Sequence, residues 1–327
     1  MGAYIGIDLG TTYSAISMLD ETGRPVIINN SEKRDSPDGN ITSSCVLFNK
    51  EEAIIGERAR KSFQLNEKAF GRFKRDMGTS VTYDFNKKKI KPMELSAVVL
   101  KELKKIAENE VGEIEKAVIT IPANFSNKAR DETLAAAKKA NLNVDYIIDE
   151  PSAAAVYYAF KSGKELSGNY VIFDLGGGTF DVSIIRIKGN STEVLSSNGI
   201  AKLGGDDFDK ALISIVKNKY KENSSKKFDD DLYTLADAEN DKKTLSKRSR
   251  CLASGGLEDE TIELFRKDFE NAISSLVAQT EMLCEATVQE ANLSIDDISD
   301  VILVGGSTRI PTVIESVKRV FKKEPVT

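Results

Sequence analysis

Residues Tyr170 to Ile187 read YVIFDLGGGTFDVSIIRI. Val171, Ile172, Phe173 and Leu175 are strand formers that enclose one acid, Asp174. Gly176, Gly177 and Gly178 follow, and Thr179 and Asp181 lead into a second β-rich run. The pattern predicts strand, tight turn, strand. Three glycines let backbone N–H groups point outward together, so such a turn can close on an anion with no Cβ in the way. Two carboxylates flank it, where a phosphate and its cation would sit. A plain hairpin with acidic flanks is the alternative reading of this stretch alone.

The chain repeats the pattern. Tyr4 to Leu19, YIGIDLGTTYSAISML, is again a strand, then Asp8-Leu9-Gly10, small residues and a second strand. Each copy continues through a turn into a third strand, Val26 to Ile28 in the first and Val194-Leu195 in the second. Two three-stranded meanders predict two related lobes with a ligand between their facing turns.

Working outward, residues 31–45 are polar and turn-rich, and 46–91 mix short β runs with a helical patch near Gly56 to Asn66. Pro92 opens a helix to about Val111 with an apolar stripe that includes Leu95, Val99 and Leu103, and Gly112 stops it. A strand from Ala117 to Ile121 precedes a helix that Ser126 caps and that ends near Ala140. Another strand, Val144 to Ile148, delivers Asp149-Glu150 to a helix opened by Pro151. Glu150 thus lies at the carboxyl end of a strand, where open α/β sheets gather ligand residues; a capping acid on the helix dipole is the plainer reading.

Beyond the second meander come Leu203-Gly204-Gly205-Asp206-Asp207-Phe208-Asp209 and a helix, then a polar loop over 222–231. The next helix carries Glu239, Lys242, Lys243 and Ser246 at helical spacing. A long amphipathic helix from about Arg266 to Ala291 shows Phe269, Ile273, Leu276 and Leu283 on one stripe. A strand from Val301 to Val304 runs into Gly305-Gly306-Ser307-Thr308-Arg309 and a helix to about Lys323, after which Pro325-Val326-Thr327 stands where the repeat calls for a strand. The last helix of the second copy has no counterpart, so the chain reads as a fragment or as one completed by another segment.

Composition narrows the chemistry. With 327 residues, 40% hydrophobic and 30% charged, the chain can bury two substantial cores. A net charge of −5 argues against a nucleic-acid surface, since phosphate backbones call for basic excess. There is no histidine, so chemistry rests on Asp, Glu, Lys, Thr and backbone. Cys45, Cys251 and Cys284 lack metal or disulfide spacing, which fits a reducing compartment. No signal peptide, lipidation motif or membrane-length apolar run is visible, and a cytosolic protein is expected.

Taken in order, GIDLGTTYS (Gly6 to Ser14), ITIPANF (Ile119 to Phe125), DEPSAAA (Asp149 to Ala155), IFDLGGGTFDVS (Ile172 to Ser183), LGGDDFD (Leu203 to Asp209) and VGGSTRIP (Val304 to Pro311) resemble the nucleotide-binding domain of the DnaK-type 70-kDa heat-shock chaperones. The resemblance covers essentially the whole chain, and the compact FKRDMG insertion is similar to the HscC-type branch. It implies an α/β, actin-like and ribonuclease-H-related fold with ATP or ADP in a cleft. The expected lobes are 1–165, with an insertion over about 35–91, and 166–327, with an insertion over about 204–284.

By matching position, the resemblance assigns one phosphate loop to Gly10, Thr11, Thr12 and Tyr13, and the other to Gly176, Gly177, Gly178 and Thr179. It gives Mg²⁺ to Asp8 and Asp174, with Glu150 and Asp181 completing an acidic ring that K⁺ also visits. Lys74 matches the catalytic lysine, and Glu150, Asp174, Thr179 and Asp181 are its expected catalytic companions. The adenosine end falls to Gly204, Gly205, Glu239, Lys242, Lys243, Ser246, Gly305, Gly306, Ser307 and Arg309. Lys243 departs from the usual arginine, whose planar guanidinium can stack on a base. The resemblance further implies a monomer that acts on client peptides, with a J-domain co-chaperone and an exchange factor, through domains this sequence does not contain. An actin-like filament protein, a sugar-kinase relative and a weakly hydrolysing fragment are the alternatives.

Overall fold

The computed structural model describes residues 2–30, 39–49, 52–63, 65–163, 165–189, 191–223, 227–257 and 261–326. Parts of the expected loops, 31–38 and 224–226, together with Asn190 and Thr327, lie outside the described residues. The chain separates into two compact units, Met1–Ala153 and Ala154–Thr327.

The first unit opens with the meander β1 (Ala3–Asp8), β2 (Tyr13–Leu19) and β3 (Pro25–Ile27). Short strands β4 (Thr42–Ser43), β5 (Val46–Asn49) and β6 (Glu52–Ile55) lead to helix α1 (Glu57–Ser62), shorter at both ends than the expected patch. Strand β7 (Ala69–Phe70), a 3-10 turn (Phe73–Asp76) and the hairpin β8 (Tyr83–Phe85) and β9 (Lys88–Ile90) follow. Helix α2 (Pro92–Val111) follows, then β10 (Ile114–Ile121), α3 (Asn127–Lys139), β11 (Val144–Asp149) and α4 (Glu150–Ser162). The main sheet runs β11-β10-β1-β2-β3, parallel across β11, β10 and β1 and antiparallel through the meander.

Local chemistry accounts for these limits. Gly112 closes α2 with φ 75°, and its N–H donates to Glu108 O, the left-handed stop that glycine adopts without a Cβ clash. The Ser126 hydroxyl accepts from the Ala129 N–H and caps α3. Strand β10 starts before the expected Ala117 because Ala3 of β1 pairs with Ile114. That is a tertiary contact which a local pattern does not carry. Leu95, Val99, Leu100 and Leu103 of α2 are fully buried against Ile5, Ile7 and Ile119 of the sheet.

The second unit repeats the plan. Strands β12 (Ser167–Leu175), β13 (Phe180–Lys188) and β14 (Ser191–Ile200) form its meander, followed by α5 (Gly205–Asn223) and α6 (Leu235–Lys247). The hairpin β15 (Arg250–Leu252) and β16 (Glu263–Phe265) precedes α7 (Arg266–Glu290), β17 (Ile298–Val304) and α8 (Pro311–Phe321). The sheet order is β14-β13-β12-β17, with β17 parallel to β12, as β10 is to β1. Val326 forms an isolated parallel bridge with Ile302, its N–H donating to Val301 O and its O accepting from Leu303 N–H. The expected strand position beyond α8 is therefore beside β17, as β11 lies beside β10.

One face of this sheet holds Phe173, Phe180, Val182 and Ile184 under α5, α7 and α8; Phe269 and Ile273 of α7 are fully buried there, whereas Leu276 and Leu283 are half-buried. The other face holds Tyr170, Ile172, Ile185 and Ile302 under Ala155, Tyr158 and Ala159 of α4. Strands β12 and β13 therefore feed both layers by alternation.

Candidate functional site

In the second unit the three glycine-rich blocks meet at the turn between β12 and β13. Gly176 N–H donates to Thr179 O (3.1 Å) and closes the turn. Gly205 N–H donates to Gly176 O (3.0 Å), and Asp206 N–H donates to Gly177 O (2.7 Å). The Ser307 hydroxyl reaches the same Gly176 O at 2.9 Å. Residues far apart in sequence thus share consecutive carbonyls of one turn.

At two of these crossings, Gly204 and Gly305, a Cβ would strike backbone, and at Gly205 it would meet two side-chain ends. A Cβ on Gly204 would lie 2.7 Å from Gly178 N, and one on Gly205 would lie 2.8 Å from both Lys242 Nζ and Ser307 Oγ. Gly305 has φ 88°, and its Cβ would sit 2.4 Å from Leu175 O and 2.8 Å from Asp174 Oδ1. Backbone approaches of this closeness leave no room for a Cβ at the points where these chains cross.

Asp174 and Asp181 are directly opposite across β12 and β13. Like charges at facing positions repel, and a cation relieves the repulsion. Among the described residues no three His, Cys, Asp or Glu side chains gather to hold an ion directly. Mg²⁺ bound beside phosphates keeps several waters and needs only one or two carboxylates, so a pair of acids suits it.

The adenosine-side candidates on α6 are arranged less simply. Lys243 is exposed and pairs with Glu239 one helical turn earlier (2.7 Å), the i,i+4 geometry of a solvated face. Lys242 points the other way: its ammonium is buried, 2.7 Å from Asp209 and 3.0 Å from Gly205 O. The Ser246 hydroxyl donates back to Lys242 O. Lys242 and Ser246 therefore each have a bond within the protein. Gly306 and Arg309 are exposed on the 3-10 turn Gly306–Arg309. Asp209 was missed as a partner of Lys242, and its position in LGGDDFD offered no signal that it would be buried.

The first unit carries the other candidates. Gly10 N–H donates to the Ser14 hydroxyl (3.2 Å), which shares a hydrogen bond with the Ser44 hydroxyl (2.9 Å). Ser44 N–H donates to Thr12 O, and a Cβ on Gly10 would lie 1.9 Å from Tyr13 O. The Thr12 hydroxyl is buried and has no hydrogen-bond partner among the described residues. A buried hydroxyl left that way is costly, and a ligand oxygen at this turn would satisfy it. Thr11 and Tyr13 are half-buried beside it.

Asp8 is exposed at the end of β1, where Thr120 donates to it from β10 (3.1 Å). Lys74, buried on its 3-10 turn, donates to Glu150 at 2.5 Å and lies 5.9 Å from the Phe125 ring centroid. That pairing joins two residues that the resemblance names together. The turn is clamped from both sides: Gly78 N–H donates to Glu132 (2.7 Å), and the Tyr83 hydroxyl donates to Asp76 (2.6 Å). Burial, reinforced by Asp76, pushes the Tyr83 phenol far above its ordinary pKa.

The model for the family described as Hsp70 protein matches residues 4–85 and 74–327. The chain belongs to the Hsp70 family. Among Hsp70 relatives, it is 41% identical to the chaperone protein DnaK of Mycoplasmopsis agalactiae, over 98% of this chain and 55% of that protein. It is 38% identical to DnaK of Mycoplasmopsis synoviae, over 98% of this chain and 55% of that protein. For DnaK of Mycoplasma mobile the identity is 39%, over 98% and 54%. The chain spans about half the length of these curated Hsp70 relatives.

Proposed function

We propose that this chain binds ATP with Mg²⁺ and hydrolyses it to ADP and phosphate, as the nucleotide-driven part of a DnaK-type chaperone on an actin-like fold. The observation that carries this reading is the convergence of Gly204-Gly205 and Gly305 to Ser307 on the Gly176 to Gly178 turn. This turn, with Thr179, is one phosphate loop, and Gly10 to Tyr13, with the unsatisfied Thr12 hydroxyl, is the other.

Asp8 and Asp174 would hold the cation, largely through its waters, with Glu150 and Asp181 completing the acidic surroundings. The ion supplies charge neutralisation on the phosphate oxygens, and K⁺ fits the same acidic surroundings. Lys74 carries a positive charge that Glu150 orients. It would donate to the attacking water and offset negative charge on the transferred group. Phosphoryl transfer rests on positioning and electrostatics, so the absence of histidine is no obstacle. The exposed Arg309 and the Glu239–Lys243 pair would meet the nucleoside end.

In the longer protein, we infer, the nucleotide state controls client-peptide binding outside this chain, with a J-domain protein and an exchange factor acting on the cycle in the cytoplasm. Isothermal titration with ATP and ADP, with and without Mg²⁺, tests the core of the reading. Binding that needs Mg²⁺, accompanied by phosphate release onto water, is expected. No nucleotide binding by the folded chain, or transfer only to an added polyol, overturns it.

A further inference from the structure

The Lys74 ammonium meets Glu150, but a flexible lysine stem places its charge loosely unless the backbone beneath it is fixed. The turn that carries Lys74 is weak by its own means. Its 3-10 geometry over Phe73–Asp76 supplies Arg75 N–H to Arg72 O at 3.1 Å and Met77 N–H to Lys74 O at 3.2 Å. Arg72 opens the turn with φ 64°, a left-handed conformation that a non-glycine residue keeps where its surroundings impose it.

Those surroundings act on three consecutive residues after Lys74-Arg75, each tied to a different element. Asp76 accepts from the Tyr83 hydroxyl of β8 at 2.6 Å. Met77 is buried, and its sulfur accepts from the Ser96 hydroxyl of α2 at 3.6 Å. Gly78 N–H donates to the Glu132 carboxylate of α3 at 2.7 Å. Gly78 has φ 78°, and a Cβ there would lie 2.8 Å from Ala129 N, so the end of the turn sits directly on the first turn of α3. Two of these anchors use a carboxylate acceptor, and such bonds are shorter and stronger than neutral ones. Burial keeps the Tyr83 phenol protonated and able to donate.

We propose that Glu132 and Tyr83 are positioning residues for Lys74: by pinning Gly78 and Asp76, they fix the backbone from which the ammonium reaches the attacking water. The claim rests on the proposed catalytic role of Lys74 and adds to it the groups that set its place. Their effect runs through the turn, so it falls on rate and not on affinity.

The test is single-turnover hydrolysis and MgATP affinity for Glu132→Ala, Glu132→Gln and Tyr83→Phe, each checked for folding by circular dichroism. The same substitutions are repeated in a Lys74→Ala background. A misplacement of about 1 Å can cost about 10²-fold in rate. Glu132→Ala is expected to slow hydrolysis about 30-fold and Tyr83→Phe about tenfold, with Kd for MgATP within about twofold of the parent. Glu132→Gln keeps an oxygen for Gly78 N–H and is expected to stay within about threefold of the parent rate. With Lys74 already removed, each substitution is expected to change the remaining rate by less than about twofold, since nothing is left to position. Hydrogen exchange at Met77 N–H, which closes the turn onto Lys74 O, is expected to quicken about tenfold in Glu132→Ala without nucleotide.

Parent-like hydrolysis in Glu132→Ala and Tyr83→Phe overturns the proposal. A loss of the same size in the Lys74→Ala background also overturns it, because the effect is then general to the fold. So does a loss that Glu132→Gln shares in full, or slower hydrolysis with unchanged exchange at Met77. Should Glu132→Ala not fold, Tyr83→Phe decides by its rate in the two backgrounds. If Lys74→Ala hydrolyses ATP at the parent rate, or the parent binds no ATP, the proposed function has failed and this proposal falls with it. A slow Lys74→Ala beside a parent-like Glu132→Ala is the failure of this proposal alone.

Discussion

Gly305 and Gly306 are neighbours, yet an added methyl group meets opposite surroundings. At Gly305 the backbone is left-handed and the Cβ strikes Leu175 O; at Gly306 nothing lies within 4 Å. Gly305→Ala is expected to cost on the order of 1–3 kcal/mol in strain and to weaken MgATP binding, whereas Gly306→Ala changes stability little. Urea unfolding of the two variants side by side checks this, and equal losses would refute the packing argument. Lys74 makes a sharper prediction about rate. Removing one preorganised charge commonly costs about 10²–10³-fold, so Lys74→Ala should slow single-turnover hydrolysis by that much and leave ATP affinity nearly intact. A parent-like rate would remove Lys74 from the proposed chemistry. Its pairing with Glu150 joins two sites 76 positions apart in sequence, so only folding could supply the 2.5 Å contact.

At the scale of elements, helix ends were the most legible part of the chain, because caps are local chemistry. Gly112 and Ser126 do what their residue types predict. The start of α2 adds a pH dependence. Glu94 accepts from Lys91 N–H, and this bond is the main reason its carboxyl is held below the ordinary range, with Lys139 assisting. The folded state therefore favours the ionised form. Its contribution is fully present above the unfolded pKa of glutamate, near 4.3. It fades as pH falls through the ordinary range toward the lowered value. Glu94→Gln should flatten the fall in stability below about pH 5; an identical pH profile for parent and variant would count against the cap. Helix α6 was less legible. Helical spacing puts Glu239, Lys242, Lys243 and Ser246 near one another, but it does not say which side meets α5. The structure turns Lys242 inward onto Asp209 and leaves Lys243 outside.

For the molecule as a whole, the two units hold separate cores, one around Leu95, Leu100 and Ile119 and the other around Phe173, Phe180 and Phe269. Phe173 is 1% exposed, with its ring centroid 4.8 Å from that of Phe180. Phe173→Ala should cost about 3–5 kcal/mol. Limited proteolysis is expected to cut first within 154–327 and to spare 2–153; cleavage spread evenly over both would show that the cores do not act separately. The sequence alone determined the duplicated strand–turn–strand plan, the ends of α2 and α3, the family and the positions of both glycine turns, because alternation, capping and glycine conformation act over a few residues. Only the tertiary structure decided where β10 and β17 begin, which α6 lysine is buried, and that Lys74 meets Glu150. Those outcomes depend on which surfaces are brought together and which charges lose their water, and neighbouring residues in the chain do not specify either. The Gly176 to Gly178 turn belongs to both accounts: its shape is local, and its support comes from Gly205, Asp206 and Ser307.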